Sequence, residues 1–322
     1  MKKFKDFCCM TQEGVKKYMT KYLTSNKYEV INEDGFLYAK GDIPVLLVAH
    51  MDTVHKERCL NVIRVGNKFS SPQGIGGDDR CGIFIIANLI KKYHCSVLLL
   101  EDEEIGTIGA RKFTKTDYIN NLDVNFMIEF DRKGNNDAVF YSCDNKDFTN
   151  HVLDNTGYKF AIGSWTDISV LMPASKLCGV NLSCGYYNPH TLDEYVNYDE
   201  MLDTISAAEG LIMAECEKPF EYVAKTYQSS NYSSNFRSYG SDDYGYYRYY
   251  NTDGYLNDNE KDDVRARAKK DVMLELTVTI ADKEGQEEFL FAEGRTKGEC
   301  WLDLFSSYPG LCFNDILEYE FT

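Results

Sequence analysis

The chain has 322 residues, 43% of them apolar, enough for one sizeable domain and a smaller companion. With 51 acidic against 35 basic residues the formal charge is −16, a balance that repels phosphate backbones and anionic lipids and speaks against nucleic-acid and membrane partners. No apolar run approaches the roughly 18 residues of a bilayer span, and eleven cysteines without a CxxC pair fit reduced thiols in a cytoplasmic protein.

The basic start, Met1-Lys-Lys-Phe, lacks an apolar core and cleavage site, so no secretory signal is expected. Val15, Tyr18, Met19 and Leu23 are spaced for one face of an amphipathic helix over 12–23. A hairpin is expected over 28–38, turned at Asp34-Gly35, followed by a buried strand at 45–49. An alternating segment, 61–69, leads to a Gly-rich loop at 74–77 and a helix from about Asp79 to Tyr93. A strand at 96–100 runs into Glu101-Asp-Glu-Glu104, and Gly106 and Gly109 flank a turn into a short helix. The pattern then predicts a strand at 125–130 ending on Asp131, a strand at 138–142 and a helix at 146–155. A strand at 177–182 and a long helix at 198–217 complete this part. Strands alternating with helices argue for an α/β/α sandwich with a mostly parallel central sheet over residues 1–220. In such sheets functional residues gather at the carboxyl ends of strands.

Between 227 and 255 nine tyrosines stand among Ser, Asn, Asp and Gly with almost no aliphatic residue, so 221–262 reads as a linker. Residues 263–322 read as a small α+β domain: a hairpin of 274–280 and 288–292 about Lys283-Glu-Gly285, then a short helix near Trp301–Ser306.

The chemistry starts at His50 and Asp52, two apart at the end of the 45–49 strand. Alternation turns such a pair to the same side, where the carboxylate can fix the tautomer of a metal-binding imidazole and raise its basicity. Asp78, Glu104, Asp131 and His190 follow at further expected strand ends. Three carboxylates and two imidazoles suit two zinc ions, or cobalt or manganese, with one carboxylate bridging. Such a pair acidifies water and polarises a scissile carbonyl. Glu103, beside Glu104, is the candidate general base. Glu129 competes with Asp131, since both point the same way along one strand; Asp131 is preferred for its place at the end. Asp79 can cap the following helix and orient Arg80, and 101–104 taken alone could be a solvated acidic turn. Asp167 is explained as well by helix capping as by a site. His55, His94 and His151 lack motif context and read as surface or internally bonded histidines.

Ala49-His-Met-Asp-Thr-Val54, Gly76-Gly-Asp-Asp-Arg-Cys-Gly82, Asp102-Glu-Glu-Ile-Gly106, Glu129-Phe-Asp131 and Tyr187-Asn-Pro-His-Thr191 occur in this order. The series resembles the co-catalytic zinc exopeptidases, which include peptidase T, the glutamate carboxypeptidases, the aminoacylases and the tetrahedral aminopeptidases. The resemblance covers about residues 1–217. It implies His50 and Asp131 on one zinc, Glu104 and His190 on the other, Asp78 bridging, Asp52 supporting His50, and Glu103 as base and later acid. The implied activity is amide-bond hydrolysis, with an aminopeptidase of short peptides as the first reading. A carboxypeptidase, dipeptidase or N-acyl-amino-acid deacylase is the alternative within the class, and would need a cationic residue that the sequence does not single out. A binding or assembly module on the same fold is the alternative from another class, engaging itself or a protein partner through 221–322. One departure stands out. Peptidase T and its carboxypeptidase relatives insert a lid domain between the Asp and His ligands, and the interval from Asp131 to His190 is too short for one.

Overall fold

The structure, a computed structural model, describes residues 1–163 and 165–225 in full, and the backbone of 274–281, 287–294 and 316–321. The Tyr-rich tract, the charged stretch at 258–270 and the helix expected near 301–306 lie outside the described residues.

Helix α1 (Phe4–Cys8) precedes α2 (Gln12–Ser25), whose start is fixed by Thr11, its hydroxyl accepting the Gly14 N–H at 3.1 Å. The hairpin β1 (Val30–Glu33) and β2 (Phe36–Ala39) turns at Asp34-Gly35, where Gly35 takes φ +93°. The chain continues through β3 (Ile43–His50), β4 (Ile63–Val65), β5 (Lys68–Ser70), α3 (Gly77–Leu89) and β6 (Cys95–Leu100). Then come α4 (Ile108–Phe113), β7 (Phe126–Arg132), β8 (Asp137–Val139), α5 (Lys146–Thr156), β9 (Lys159–Ala161) and α6 (Asp167–Ser175). Strands β10 (Gly179–Ser183), β11 (Tyr186–Tyr187) and β12 (Tyr195–Asn197) lead into α7 (Tyr198–Met213).

The main sheet has the order β1-β2-β6-β3-β7-β10-β8-β9. Its centre, β6-β3-β7-β10, is parallel throughout, and β6 and β10 are buried at every residue. Covered on both faces, these strands carry unbroken apolar runs such as Val45-Leu-Leu-Val-Ala49 and Val97-Leu-Leu-Leu100. Antiparallel strands flank them on both sides, β2 on β6 and β8 on β10. The register pairs His50 with Leu100, so β3 and β6 end together, with β7 on the far side of β3. A smaller antiparallel sheet, β11-β12-β5-β4, carries the 188–194 connection. A third sheet is formed by β13 (Leu274–Ala281), β14 (Glu287–Gly294) and β15 (Ile316–Phe321), in the antiparallel order β14-β13-β15, with the expected hairpin as β13 and β14.

The segment from Asp131 to His190 supplies β8, β9 and β10 of the main sheet together with α5 and α6. These elements account for the interval in which an inserted lid would stand. The closing helix is shorter than its apolar pattern suggests, ending at Met213 where Ala214 turns extended. Beyond it the chain remains laced to the first domain, as in the bonds from Phe220 N to Asn125 O and from Lys225 N to Ser142 O.

Candidate metal centre

Because β3, β6 and β7 are parallel neighbours, their carboxyl ends deliver His50, the 101–104 turn and Asp131 to one edge of the sheet. His50 is 1% exposed. Its Nδ1 lies 3.1 Å from Asp52 Oδ1. The same Asp52 carboxylate accepts the backbone N–H groups of Glu103 and Glu104, each at 3.1 Å. One side chain thus orients the imidazole and pins the turn that carries both glutamates. Asp102 completes that turn at φ +59° and is clamped by Gln12, whose amide donates to its carboxylate at 3.0 Å and accepts its N–H at 3.2 Å.

Asp78 joins the groups. Its Oδ1 is 3.0 Å from His50 Nε2, which also faces Asp131 Oδ1 at 3.6 Å. Its Oδ2 is 3.2 Å from His190 Nε2, which lies 3.2 Å from Glu104 Oε2 as well. Two nitrogen-and-oxygen sets therefore share one carboxylate. Asp78 stands in the non-helical kink at the start of α3, just before the capping Asp79, rather than at a strand end, and the Asp78–Asp79 peptide is cis. Asp79 caps the helix: Oδ1 accepts the Gly82 N–H at 2.8 Å, while Oδ2 accepts the His50 N–H at 3.2 Å. It also lies within 4.8 Å of the His50 and Asp131 ligand atoms, but both of its oxygens are committed to the backbone. Arg80 donates to the carbonyls of Met10, Met51 and Asp52.

Asp131 is held by Thr166, whose hydroxyl donates at 3.0 Å, and by Tyr186, whose phenol donates at 3.2 Å. The Asn181 side chain accepts its N–H and donates to its carbonyl. The rival Glu129 is buried, with Oε1 accepting the Ile168 N–H at 3.4 Å. His190 is exposed, in the β11–β12 connection at φ +65°. The same connection contributes Glu194, which sequence reasoning passed over. Buried, it accepts the Asp78 N–H at 2.9 Å and the Gly76 N–H at 3.0 Å, and pairs with His55 Nε2 at 2.8 Å. His55 is thus internally bonded, but as a buttress of the centre. His94 stacks on Tyr28 and pairs with Asp42, and His151 packs on Phe126 and Phe220.

The electrostatics divide the carboxyls. Burial acts to raise Asp78, yet its bonds with His190 and His50 hold it well below the usual carboxylate range. Those bonds to Asp78 and Glu104 push His190 up to about 11. Burial lifts Glu103 to about 9, with repulsion from Asp131, Asp167 and Glu104 adding to it. Burial, then the charge of Asp78, lifts Asp131 to about 7, and burial lifts Asp167 to about 8. Glu104 Oε1, Glu129 Oε2 and both Asp167 oxygens are buried without a hydrogen-bond partner. Unpartnered buried carboxylate oxygens call for compensation, and imidazoles mixed with carboxylates fit zinc or a similar divalent cation.

No protein-family model and no curated protein matches the chain. Among solved structures, the aminopeptidase PepT of Bacillus cereus superposes with a TM-score of 0.54 at 14% identity, over 65% of this chain and 96% of that one. A tripeptidase of Staphylococcus aureus superposes with the same TM-score at 12% identity, over 65% of this chain and 95% of that one. The chain has the fold of these two peptidases. The α/β/α sandwich and mostly parallel sheet expected from the sequence are those of this shared fold. Beside Asp52 and Thr53 a cleft of about 230 Å³ opens in it, lined among others by Lys56, Arg58 and Arg80. Among the described residues no helix is long and apolar enough to cross a membrane.

Proposed function

We propose that this chain is a metal-dependent exopeptidase, and within that class an aminopeptidase acting on short peptides with two divalent cations. The observation that carries the reading is Asp78, whose two oxygens meet different histidines, each accompanied by a further carboxylate. His50 and Asp131 would hold one ion, His190 and Glu104 the other, with Asp78 between them. Zinc suits these donors first, and cobalt or manganese next. When bound, such ions supply Lewis-acid polarisation of a carbonyl and acidify water.

The chain's own residues do the rest. Asp52 keeps the proton of His50 on Nδ1 and so leaves Nε2 free to bind. Glu103 stands on the turn that Asp52 fixes and serves as the base. Without compensation its carboxyl sits near 9. Cationic charge at the neighbouring ligands draws it down toward neutrality, where it can accept a proton from water and return it to the leaving amine. We assign this chemistry to residues 1–220, and the nine free thiols described fit a reducing, cytoplasmic setting.

A second reading is favoured by the cleft at Lys56 and Arg58, which offers the cationic groups that a carboxypeptidase, dipeptidase or N-acyl-amino-acid deacylase would need. Turnover of aminoacyl-nitroanilides against N-acylated amino acids separates the two. The shared reading is tested by elemental analysis, with close to two transition-metal ions expected per chain. Glu103→Gln should keep the metal and lose about 10²–10⁴-fold in turnover. Protein that binds neither zinc nor cobalt would end the hydrolase assignment.

A further inference from the structure

Cys143 and Cys178 stand 35 positions apart in the chain, yet their sulfurs lie 3.4 Å from each other with both thiols free. The sheet brings them together. Strand β10 runs antiparallel to β8, pairing Asn181 with Val139 and Leu182 with Ala138. Cys178 directly precedes β10, and Cys143 closes the turn after β8, its N–H donating to Phe140 O at 3.0 Å. The pair therefore sits at the amino end of β10, whereas the proposed ligands gather at the carboxyl ends of strands parallel to it. Buried cysteines are ordinarily inert thiols. Here the hydrogen bond between the two divides their acidity. It draws Cys143 below the usual thiol range against the effect of burial, helped by the backbone N–H groups of Asn145 and Val223, and it raises Cys178, with burial adding to the rise. One sulfur with thiolate character beside one that keeps its proton is the arrangement of an attacking and a resolving cysteine.

Residues 221–225 run beside both cysteines as a strap. Cys178 Sγ donates to Glu221 O at 3.1 Å, and Cys143 bridges to Ala224. Further single backbone bonds hold the strap, from Tyr222 N to Lys176 O, Asp144 N to Val223 O and Lys225 N to Ser142 O. Glu221, Val223 and Ala224 are exposed, so few apolar contacts keep it down, as in segments that open locally. We propose that Cys143 and Cys178 are a modification site for a two-electron oxidant of the peroxide class, which joins them in a reversible disulfide and closes the α5–β9–α6 segment at its base. Opening of the strap admits the peroxide. The Cys143 thiolate attacks one peroxide oxygen, an S–O bond forms as the O–O bond breaks, and the leaving hydroxide is protonated to water. The Cys178 sulfur then attacks the Cys143 sulfur, and the S–S bond forms as the S–O bond breaks. The expelled hydroxyl takes the Cys178 proton away as water. Two thiols lose two electrons and two protons, and one peroxide becomes two waters. A dithiol reductant reverses the bridge by exchange. The closed loop contains none of the five proposed ligands, so the bridge acts on stability, by constraining the unfolded chain.

The test treats the reduced full chain with hydrogen peroxide, quenches it with iodoacetamide in denaturant and maps it by mass spectrometry without reduction. A peptide cross-linked through Cys143 and Cys178 is expected, and dithiothreitol should remove it. The oxidised protein should melt about 5–15 °C above the reduced one, the scale of a disulfide closing a loop of this length in a domain of this size. Cys143→Ser and Cys178→Ser should each abolish the rise. If either serine variant misfolds, the wild-type map and the dithiothreitol-reversible rise decide the matter. Peroxide that oxidises the half-buried Cys9 or Cys216 while Cys143 and Cys178 are recovered alkylated overturns the proposal. So does a mapped bridge without a rise in melting point, or a rise that persists in Cys143→Ser and so belongs to other thiols. Metal binding and peptide turnover do not enter these readouts, so the outcome is independent of the hydrolase reading.

Discussion

Glu194 reaches across from the β11–β12 connection to the turn that carries Asp78, and it does so with both carboxylate oxygens. One accepts the Asp78 N–H and the other accepts the Gly76 N–H while facing His55. Truncation would leave two buried backbone donors unpaired, each costing about 1–3 kcal/mol, and would release the carboxylate shared by both histidines. Glu194→Ala is therefore expected to weaken zinc binding by about 10–100-fold, the usual loss when the support of a ligand is removed. Glu194→Gln keeps one acceptor and should fall in between. Competition against a chromophoric chelator reads both values, and wild-type affinity in Glu194→Ala would remove this positioning role. Asp52 acts on the same scale from the opposite side, joining the His50 ring to the backbone of Glu103 and Glu104.

The elements matter through how closely they approach. A Cβ at Gly82 would stand 2.5 Å from the Asp79 carboxylate oxygens and 2.7 Å from Phe130 O, so α3 meets β7 at a spacing only glycine permits. Gly82→Ala should push the start of α3 off the sheet, costing about 1–3 kcal/mol as overpacking does. It should also weaken zinc binding, because α3 carries Asp78. Denaturant unfolding with chelator present gives the first effect and metal titration the second; a destabilised protein with unchanged affinity would separate the helix from the centre. The same geometry explains what could be read in advance. The core strands β3 and β6 carry unbroken apolar runs and β7 one interrupted only by Glu129, so they and the groups at their ends, His50, Glu104 and Asp131, were legible. The alternating segment over 61–69 became the short strands β4 and β5, but their partners β11 and β12 have two and three residues, too few to show an alternation. With that sheet hidden, nothing marked Glu194 or Tyr186 as reaching the site, or Asp78 as a helix-start residue. Thr166 was hidden for another reason: it joins Asp131 only because α6 begins beside β7.

At the scale of the whole molecule, folding gathers carboxyls of a strongly acidic chain into one buried cluster. In the unfolded chain Asp131, Asp167 and Glu103 titrate near 4; folded, they titrate at about 7, 8 and 9. From about pH 4.5 upward the folded protein consequently holds more protons than the unfolded one, and stability falls as pH rises through that range. His190 has the same sign, its contribution complete below its unfolded value of about 6.5 and lost as pH climbs through about 11. Asp78 is depressed, so its contribution is present above its unfolded value of about 3.9 and fades only as pH falls toward its folded one. Chelator-treated protein should therefore melt highest at mildly acidic pH and lower at each step from pH 5 to pH 9. Zinc should act oppositely, because its ligands shed protons on binding and affinity grows with pH. The gap between the zinc-loaded and chelated melting points should widen across the series, exceeding about 4 °C by pH 8, the shift that one to two kcal/mol produces in a domain of this size. Thermal unfolding followed by circular dichroism in parallel buffers measures both curves. A chelated protein whose melting point held level from pH 5 to pH 9 would mean that the cluster carries no such excess of protons, and the charge argument for a cation at Asp78 would fall with it.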